Sequence, residues 1–320
     1  MTYTMMTFDA AILYDTPYKI PDFDKLERDL NARLARAGGS VGRTNMTGEN
    51  FVTFRNDALY IVISFNREPL GPEGFQGALA AGINQMQNAR FPEYVAEHIE
   101  NIFITVGDGK MHLTPDARQM LEAQDMLGAV MDGVEAVDPR IKVSVLQSAV
   151  ETVLDTIMPT PTVVHWCQTD LLHTADSFPR VTPDFQFASP LVSRPEFFDG
   201  GQTESGQQAN AVVMRGSELF CGKTLFADTT TYSPQSLLTV LGTLIYHHIV
   251  DGLALDDGLT AQLDARVQWR LEHRPPHPMI PQGGIALIIE PVGTPPPHLR
   301  RPEPQAKKSW WKFGRKDTRH

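Results

Sequence analysis

Two histidines, a carboxylate and a glycine stand together at His247-His248-Ile249-Val250-Asp251-Gly252. An imidazole beside a carboxylate is ordinary equipment for general acid–base catalysis, because histidine titrates closest to neutrality. His248 and Asp251 are therefore the candidate catalytic pair, for a transferase or a hydrolase. Neighbouring helical residues diverge by about 100°, however, so His247 and His248 do not converge on one ion or one substrate. The same segment also reads as a helix C-terminus, where histidines meet the negative end of the helix dipole. Asp256-Asp257-Gly258, just beyond, reads as a turn in which Asp bonds its local backbone, and no metal is expected. His165 and His173 flank Cys167, which suggests a Cys/His dyad. On an alternating strand His165 and Cys167 share one face with Trp166 on the other, and no third, orienting residue is evident. A buried Cys in that setting is a small hydrophobe.

The C-terminal stretch carries a different chemistry. Lys307, Lys308, Trp310, Trp311, Lys312, Phe313, Arg315 and Lys316 interleave cations with aromatics. A solvated charge run has no use for two tryptophans, whose exposure is unfavourable unless something covers them. The pattern fits contact with a protein partner of acidic character or with an anionic membrane surface. Pro295, Pro296, Pro297, Pro302 and Pro304 precede it and hold the chain extended. The segment 293–320 is expected to be disordered.

The elements that must position these residues are legible from periodicity and punctuation. Leu237, Leu238, Leu241, Leu244, Ile245 and Ile249 recur at helical spacing between the N-cap Ser233, with Pro234 at the first helical position, and the C-cap Gly252. The expected central helix therefore runs over Ser233–Val250. Phe8–Tyr14 reads as a buried strand, and a helix from Pro21 carries Phe23, Leu26, Leu30 and Leu34 up to Gly38-Gly39. Strands at 51–54 and 59–63 flank a turn at Asn56-Asp57. A helix is expected over 73–84, then a short helix from Pro92, a strand over 102–106, and helices over 114–130 and 143–157. Strands follow at 162–166, 210–214, 219–226, 265–271 and 285–289, and the stretch 179–208 is expected as a long loop.

Composition narrows the field. The 320 residues are 42% hydrophobic and 21% charged, ordinary values for a globular protein. The net charge of −10 is uneven: from residue 298 onward eight Lys and Arg face two acids, +6, which leaves −16 on the rest. So acidic a body repels phosphate backbones, and no nucleic acid is expected as partner. No apolar run approaches the ~20 residues of a membrane span, so the chain is not expected to be transmembrane. The N-terminus does not read as a signal peptide, and Cys167 and Cys221 are too far apart for a CxxC motif. A cytoplasmic protein with two reduced thiols is expected, with peripheral contact to the inner membrane through the tail. No Gly-rich phosphate loop follows any strand, and no cofactor is expected.

Hairpins mixed with helices point to an α+β fold with mixed or antiparallel sheets and packed helices. The expected division is an N-terminal α+β region over 1–157, a second over 158–292, and the tail. Two resemblances are carried by short motifs. Val163-Val164-His165-Trp166, Leu172-His173 and Phe178, and then Glu218-Leu219, the Leu237–Ile249 helix, Asp256-Asp257-Gly258-Leu259-Thr260 and Val267-Gln268-Trp269-Arg270-Leu271, resemble the bacterial domain-of-unknown-function family 4261. That resemblance implies an order of elements and a soluble bacterial protein, and assigns no catalytic residue. His247-His248-x-x-Asp251-Gly252 is similar to the His-His-x-x-x-Asp-Gly signature of chloramphenicol acetyltransferase-like and condensation enzymes, in which the second His is the general base. Here one residue fewer separates His248 from Asp251, which turns Asp251 by about 100° on a helix. The catalytic roles are therefore not carried over. The expected function is a non-catalytic binding protein, an adaptor or regulator; the alternative is the transferase or hydrolase using His248.

Overall fold

The structure is a computed structural model that describes residues 6–109, 136–180, 191–202, 206–263, 265–276 and 280–294. The chain divides into two compact units, Met1–Val192 and Ser193–His320. It is α+β, with one antiparallel and one mixed sheet. Among the described residues no helix is long and apolar enough to cross a membrane. The basic tail and the helix expected over 114–130 lie outside the described residues.

The first unit is built on a seven-stranded antiparallel sheet. Its strands are β1 (Phe8–Tyr14), β2 (Gly42–Arg43), β3 (Phe51–Arg55), β4 (Leu59–Asn66), β5 (Glu100–Asp108), β6 (Val163–Trp166) and β7 (Leu171–His173), in the order β2-β3-β4-β5-β1-β6-β7. Apart from Asp9, whose carboxylate accepts the Thr105 and Thr7 hydroxyls, β1 is apolar because it is central and covered on both faces. One face carries Ala11, Leu13, Val163 and Leu172, which pack with Phe75, Ala78, Phe91 and Val95. Those last four come from a 3-10 turn at Pro72–Phe75 and from α2 (Gln76–Ala80) and α4 (Phe91–Glu97), with α3 (Gly82–Gln87) between the two helices. α1 (Phe23–Leu34) packs on α5 (Pro139–Thr156), and α5 lies against β1 and β5. α1 begins where the Asp22 carboxylate accepts the Asp24 N–H, buries Leu26, Leu30 and Leu34 at i,i+4 spacing, and is closed by Gly38 in the left-handed region after a 3-10 turn.

A buried ion pair pins α5 to the sheet. Lys142 Nζ donates to both Asp108 oxygens at 3.0 Å and to the Met6 carbonyl at 3.0 Å. Asp108 also accepts the N–H groups of Met6 at 3.1 Å and of Val137 at 2.6 Å. The two side chains are 0% and 1% exposed.

The second unit holds a six-stranded sheet of β8 (Arg194–Gln202), β9 (Gln208–Arg215), β10 (Thr224–Thr230), β11 (Thr260–Gln262), β12 (Val267–Arg274) and β13 (Gly284–Pro291), in the order β11-β12-β13-β10-β9-β8. Among the described residues only the β10–β13 pair is parallel. α6 (Glu218–Cys221) links β9 to β10, and α7 (Pro234–Asp251) packs on β9 and β10. α7 follows its expected boundaries: the Ser233 hydroxyl accepts the Ser236 N–H, and Gly252 is left-handed at φ 70°. Its buried face is Leu237, Leu241, Leu244, Ile245 and Ile249.

Four expectations change. The division falls at 192/193 rather than 157/158, because β6 hydrogen-bonds to β1 and carries β7 with it into the first sheet. The helix expected over 73–84 breaks at Ala81, whose backbone is extended, and this turns Asn84 inward. Asn84 Nδ2 donates to the Ala78 and Asp170 carbonyls at 2.7 Å each, and its Oδ1 accepts the Leu172 N–H at 3.0 Å. The strand expected over 219–226 begins as the helical turn α6, closed by left-handed Gly222, before β10 starts at Thr224. Part of the loop expected over 179–208 is β8, which pairs with β9 and bears Glu196 between Arg194 at 3.0 Å and Arg215 at 2.7 Å.

Candidate functional site

The C-terminus of α7 sets the histidines apart. His247 Nδ1 lies 2.5 Å from Asp251 Oδ2, one helical turn on, and both side chains are about half exposed, at 47% and 57%. His248 points elsewhere. Its Nδ1 is 2.7 Å from the Leu253 carbonyl and its Nε2 is 3.2 Å from the Phe220 carbonyl. The ring thus lies between the chain beyond α7 and α6, with both nitrogens facing backbone carbonyls. Asp251 serves His247, as the helical geometry of the shortened spacing dictates. Asp257 accepts the His273 N–H at 2.8 Å, and Gly258 is left-handed at φ 83°, as the turn reading requires. His273 Nε2 is 2.7 Å from the Leu255 carbonyl, and its Nδ1 is 3.1 Å from Lys223 Nζ. Among the described residues no group of three or more His, Cys, Asp or Glu could hold a metal ion.

The β6–β7 hairpin brings together more than its sequence revealed. His165 Nδ1 lies 3.8 Å from Cys167 Sγ, and His165 Nε2 lies 3.6 Å from Asp170 Oδ1. Asp170 is thus the third group in line, although 3.6 Å is too long for a hydrogen bond. It sits at φ 53°, a non-glycine residue in the left-handed region. Gly77 makes room for its carboxylate, since a Cβ there would meet Asp170 Oδ2 at 2.6 Å. The order Cys–His–Asp is that of a thiol protease, but the electrostatics are opposed to it. Burial, then the charges of Asp9 and Asp170, push the Cys167 thiol up to about 12. A working nucleophilic thiol has its pKa lowered by cations or a helix N-terminus. Cys221 is likewise pushed up to about 12, by burial and then Glu218. Both cysteines are free.

His173 does not join His165. It pairs across the hairpin with Val164, while His165 pairs with Leu172, so the two rings occupy opposite faces of the sheet. The His173 ring meets Phe178 edge-on at 5.7 Å, and burial lowers its pKa to about 4. The hairpin also gathers buried polar atoms without hydrogen-bond partners among the described residues: His165 Nε2, Trp166 Nε1, Gln168 Oε1, Thr169 Oγ1 and His173 Nε2. Such atoms are uncommon in folded proteins and call for a reason.

Lys307, Lys308, Trp310, Trp311, Lys312, Phe313, Arg315 and Lys316 lie outside the described residues. Asp170 and Asn84 are the participants that sequence reasoning missed. The signal for Asp170 was a polar Gln168-Thr169-Asp170 turn between two apolar strands. Asn84 stood inside an apparent helix and carried no signal of its own.

Fold and sites together define an α+β protein of two sheet-based units. No family model, no curated protein and no solved structure matches the chain.

Proposed function

We propose that this chain is a non-catalytic binding protein, an adaptor or regulator that works through surface contacts. Its contact segment is the basic–aromatic stretch of Lys307, Lys308, Trp310, Trp311, Lys312, Phe313, Arg315 and Lys316, which meets an acidic protein or an anionic membrane surface. The observation that carries the reading is the use made of His248, whose two nitrogens face the Leu253 and Phe220 carbonyls while Asp251 serves His247. A general base needs a free nitrogen within reach of a substrate proton. The high pKa of Cys167 supports the same reading for the hairpin.

The binding half rests on the chemistry of the tail. Each Lys or Arg near an anionic surface contributes about 1 kcal/mol, and interfacial Trp adds apolar contact. The charge of −16 on the rest of the chain opposes this, so attachment is weak and reversible. Family 4261 is kept as the group this chain resembles on its short motifs alone.

The test is vesicle sedimentation, with and without phosphatidylserine, alongside capture of acidic proteins. It compares the full chain, a chain ending at Thr294, and the pair Trp310→Ala/Trp311→Ala. Binding that needs the tail and weakens with salt and with loss of the tryptophans is expected. Binding indifferent to lipid charge, salt and both tryptophans, with no acidic protein captured, refutes the contact role. An acyl-transfer or hydrolytic activity abolished by His248→Ala at unchanged Tm would establish the enzyme reading instead.

A further inference from the structure

One border of the second sheet buries its charges and leaves its apolar face half open. β12 alternates Val267, Trp269 and Leu271 on one face with Gln268 and Arg270 on the other. Arg270 is 3% exposed and pairs with Glu272 at 3.2 Å and with Glu290 at 3.5 Å. Val267 and Trp269, on the apolar face, are only half-buried. Their cross-strand neighbours continue the same surface. Val267 stands opposite Pro291, and Trp269 stands between Ala261 of β11 and Ile289 of β13. The Leu263 N–H donates to the Val267 carbonyl at 2.8 Å, which sets Leu263 at the head of the block. Leu263 is 38% exposed, Ala261 and Pro291 are exposed, and Ile289 is half-buried. Further in, Leu271 and Leu287 pair across the same strands and are buried. The core of the unit thus runs out into an apolar ledge. Helix α7 packs on β9 and β10, in the other half of the sheet.

Contiguous exposed apolar surface of this kind marks a contact site. Two observations on the same unit select its own C-terminal segment as the cover. The first is position, since β13 carries Ile289 and Pro291 and leads directly into that segment. Fifteen residues lie between Thr294 and Trp310, at most about 50 Å of extended chain. A ledge of three strands and two residue rows measures roughly 10 Å by 7 Å. It is within that reach, and a tether of such length holds its end at an effective concentration on the order of millimolar. The second observation is charge. Between Ser193 and Thr294 eleven Asp and Glu face six Lys and Arg, −5, against +6 from residue 298 onward.

We propose that Trp310, Trp311 and Phe313 dock on this ledge of their own chain, which holds the contact segment back until an anionic membrane competes for it. The aromatics cover Leu263, Trp269 and Ile289, and the flanking cations lie against an acidic unit. The docking stands on the second unit by itself. Its release to a membrane rests on the contact role proposed above.

The experiment uses the full chain with labelled tryptophan, whose four indole signals are read together, Trp269 being assigned through Trp269→Phe. Trp310→Ala/Trp311→Ala is expected to move the Trp269 signal and to leave that of Trp166, in the first unit, in place, which excludes general unfolding. Leu263→Ser alters an exposed side chain of the ledge. It is expected to move the Trp310 and Trp311 signals toward those of a synthetic peptide of residues 306–320. A Trp269 signal identical in the parent and in Trp310→Ala/Trp311→Ala overturns the docking. A shift that grows with protein concentration seats the tail of a second copy on the ledge and overturns it as well. Vesicles of phosphatidylcholine with phosphatidylserine read the release. With about two thirds of the tails docked, Leu263→Ser should bind these vesicles about threefold more tightly than the parent. Equal binding by the two proteins overturns the held-back state. Absence of binding by both, with the Trp269 shift present, refutes the membrane contact and not the docking.

Discussion

Lys142→Met is the sharpest test of how the first unit holds together. The change keeps most of the length of the side chain and removes its ammonium, with the donors to Asp108 and the Met6 carbonyl. Asp108, 1% exposed, then faces the interior without its ammonium but keeps the Met6 and Val137 N–H donors. Breaking a buried pair by removing one partner costs about 3–5 kcal/mol. The two backbone donors retained by Asp108 place this variant near the lower end, at about 3 kcal/mol. Asp108→Asn should cost more, about 4–5 kcal/mol, because Lys142 is left with the Met6 carbonyl and one amide oxygen for a full buried charge. The double variant should fall short of the sum by about 2 kcal/mol, the range measured for groups in direct contact. Urea denaturation followed by tryptophan fluorescence reads all four proteins, and hydrogen exchange at Met6 and Val137 reads the anchor itself. Additive single costs, or a Lys142→Met variant within about 1 kcal/mol of the parent, would show that water screens the pair and that the packing described for α5 is wrong.

Two further outcomes are expected. Leu241→Ala in α7 should lower stability by about 2–5 kcal/mol, since Leu241 is 0% exposed; a Tm shift within error would mean that α7 is not central to the second unit. His173 bears on acid stability. Its folded pKa of about 4 lies below the ordinary 6.5, so the unfolded chain takes up the proton first as pH falls. The stabilisation is complete above pH ~6.5, declines below it and is lost on passing ~4, on the order of 3 kcal/mol in all. His173→Phe should flatten that slope in pH-dependent urea titrations, and an unchanged slope would show that burial does not depress this group.

Elements whose one face is purely apolar were legible in the sequence. α1 shows Leu26, Leu30 and Leu34 between an Asp cap and a glycine stop, and α7 shows its leucines between Ser233 and Gly252. β8 was not, because Arg194 and Glu196 alternate where hydrophobic residues would mark a strand, and their charges are matched only once Arg215 arrives from β9. The candidate sites divide the same way. The turn of Asp251 away from His248 followed from helical geometry alone. Asp170 beside His165 did not, because it depends on a left-handed backbone at the hairpin turn and on the room left by Gly77. Local rules reached what is local. Contacts made across the sheet needed the fold.

Asn84 has a consequence for how this molecule lives among its own copies. A terminal strand ordinarily presents free N–H and C=O groups on which another chain can build. In β7 the Leu172 N–H is already taken by a side-chain amide, and that amide is itself gripped by the Ala78 and Asp170 carbonyls. One carboxamide does the work of an eighth strand while adding no new edge. The opposite border, β2, is only two residues long. Among the described residues the first sheet thus offers little open edge at either border, and a copy adding a strand would find more on the borders of the second sheet, β8 and β11.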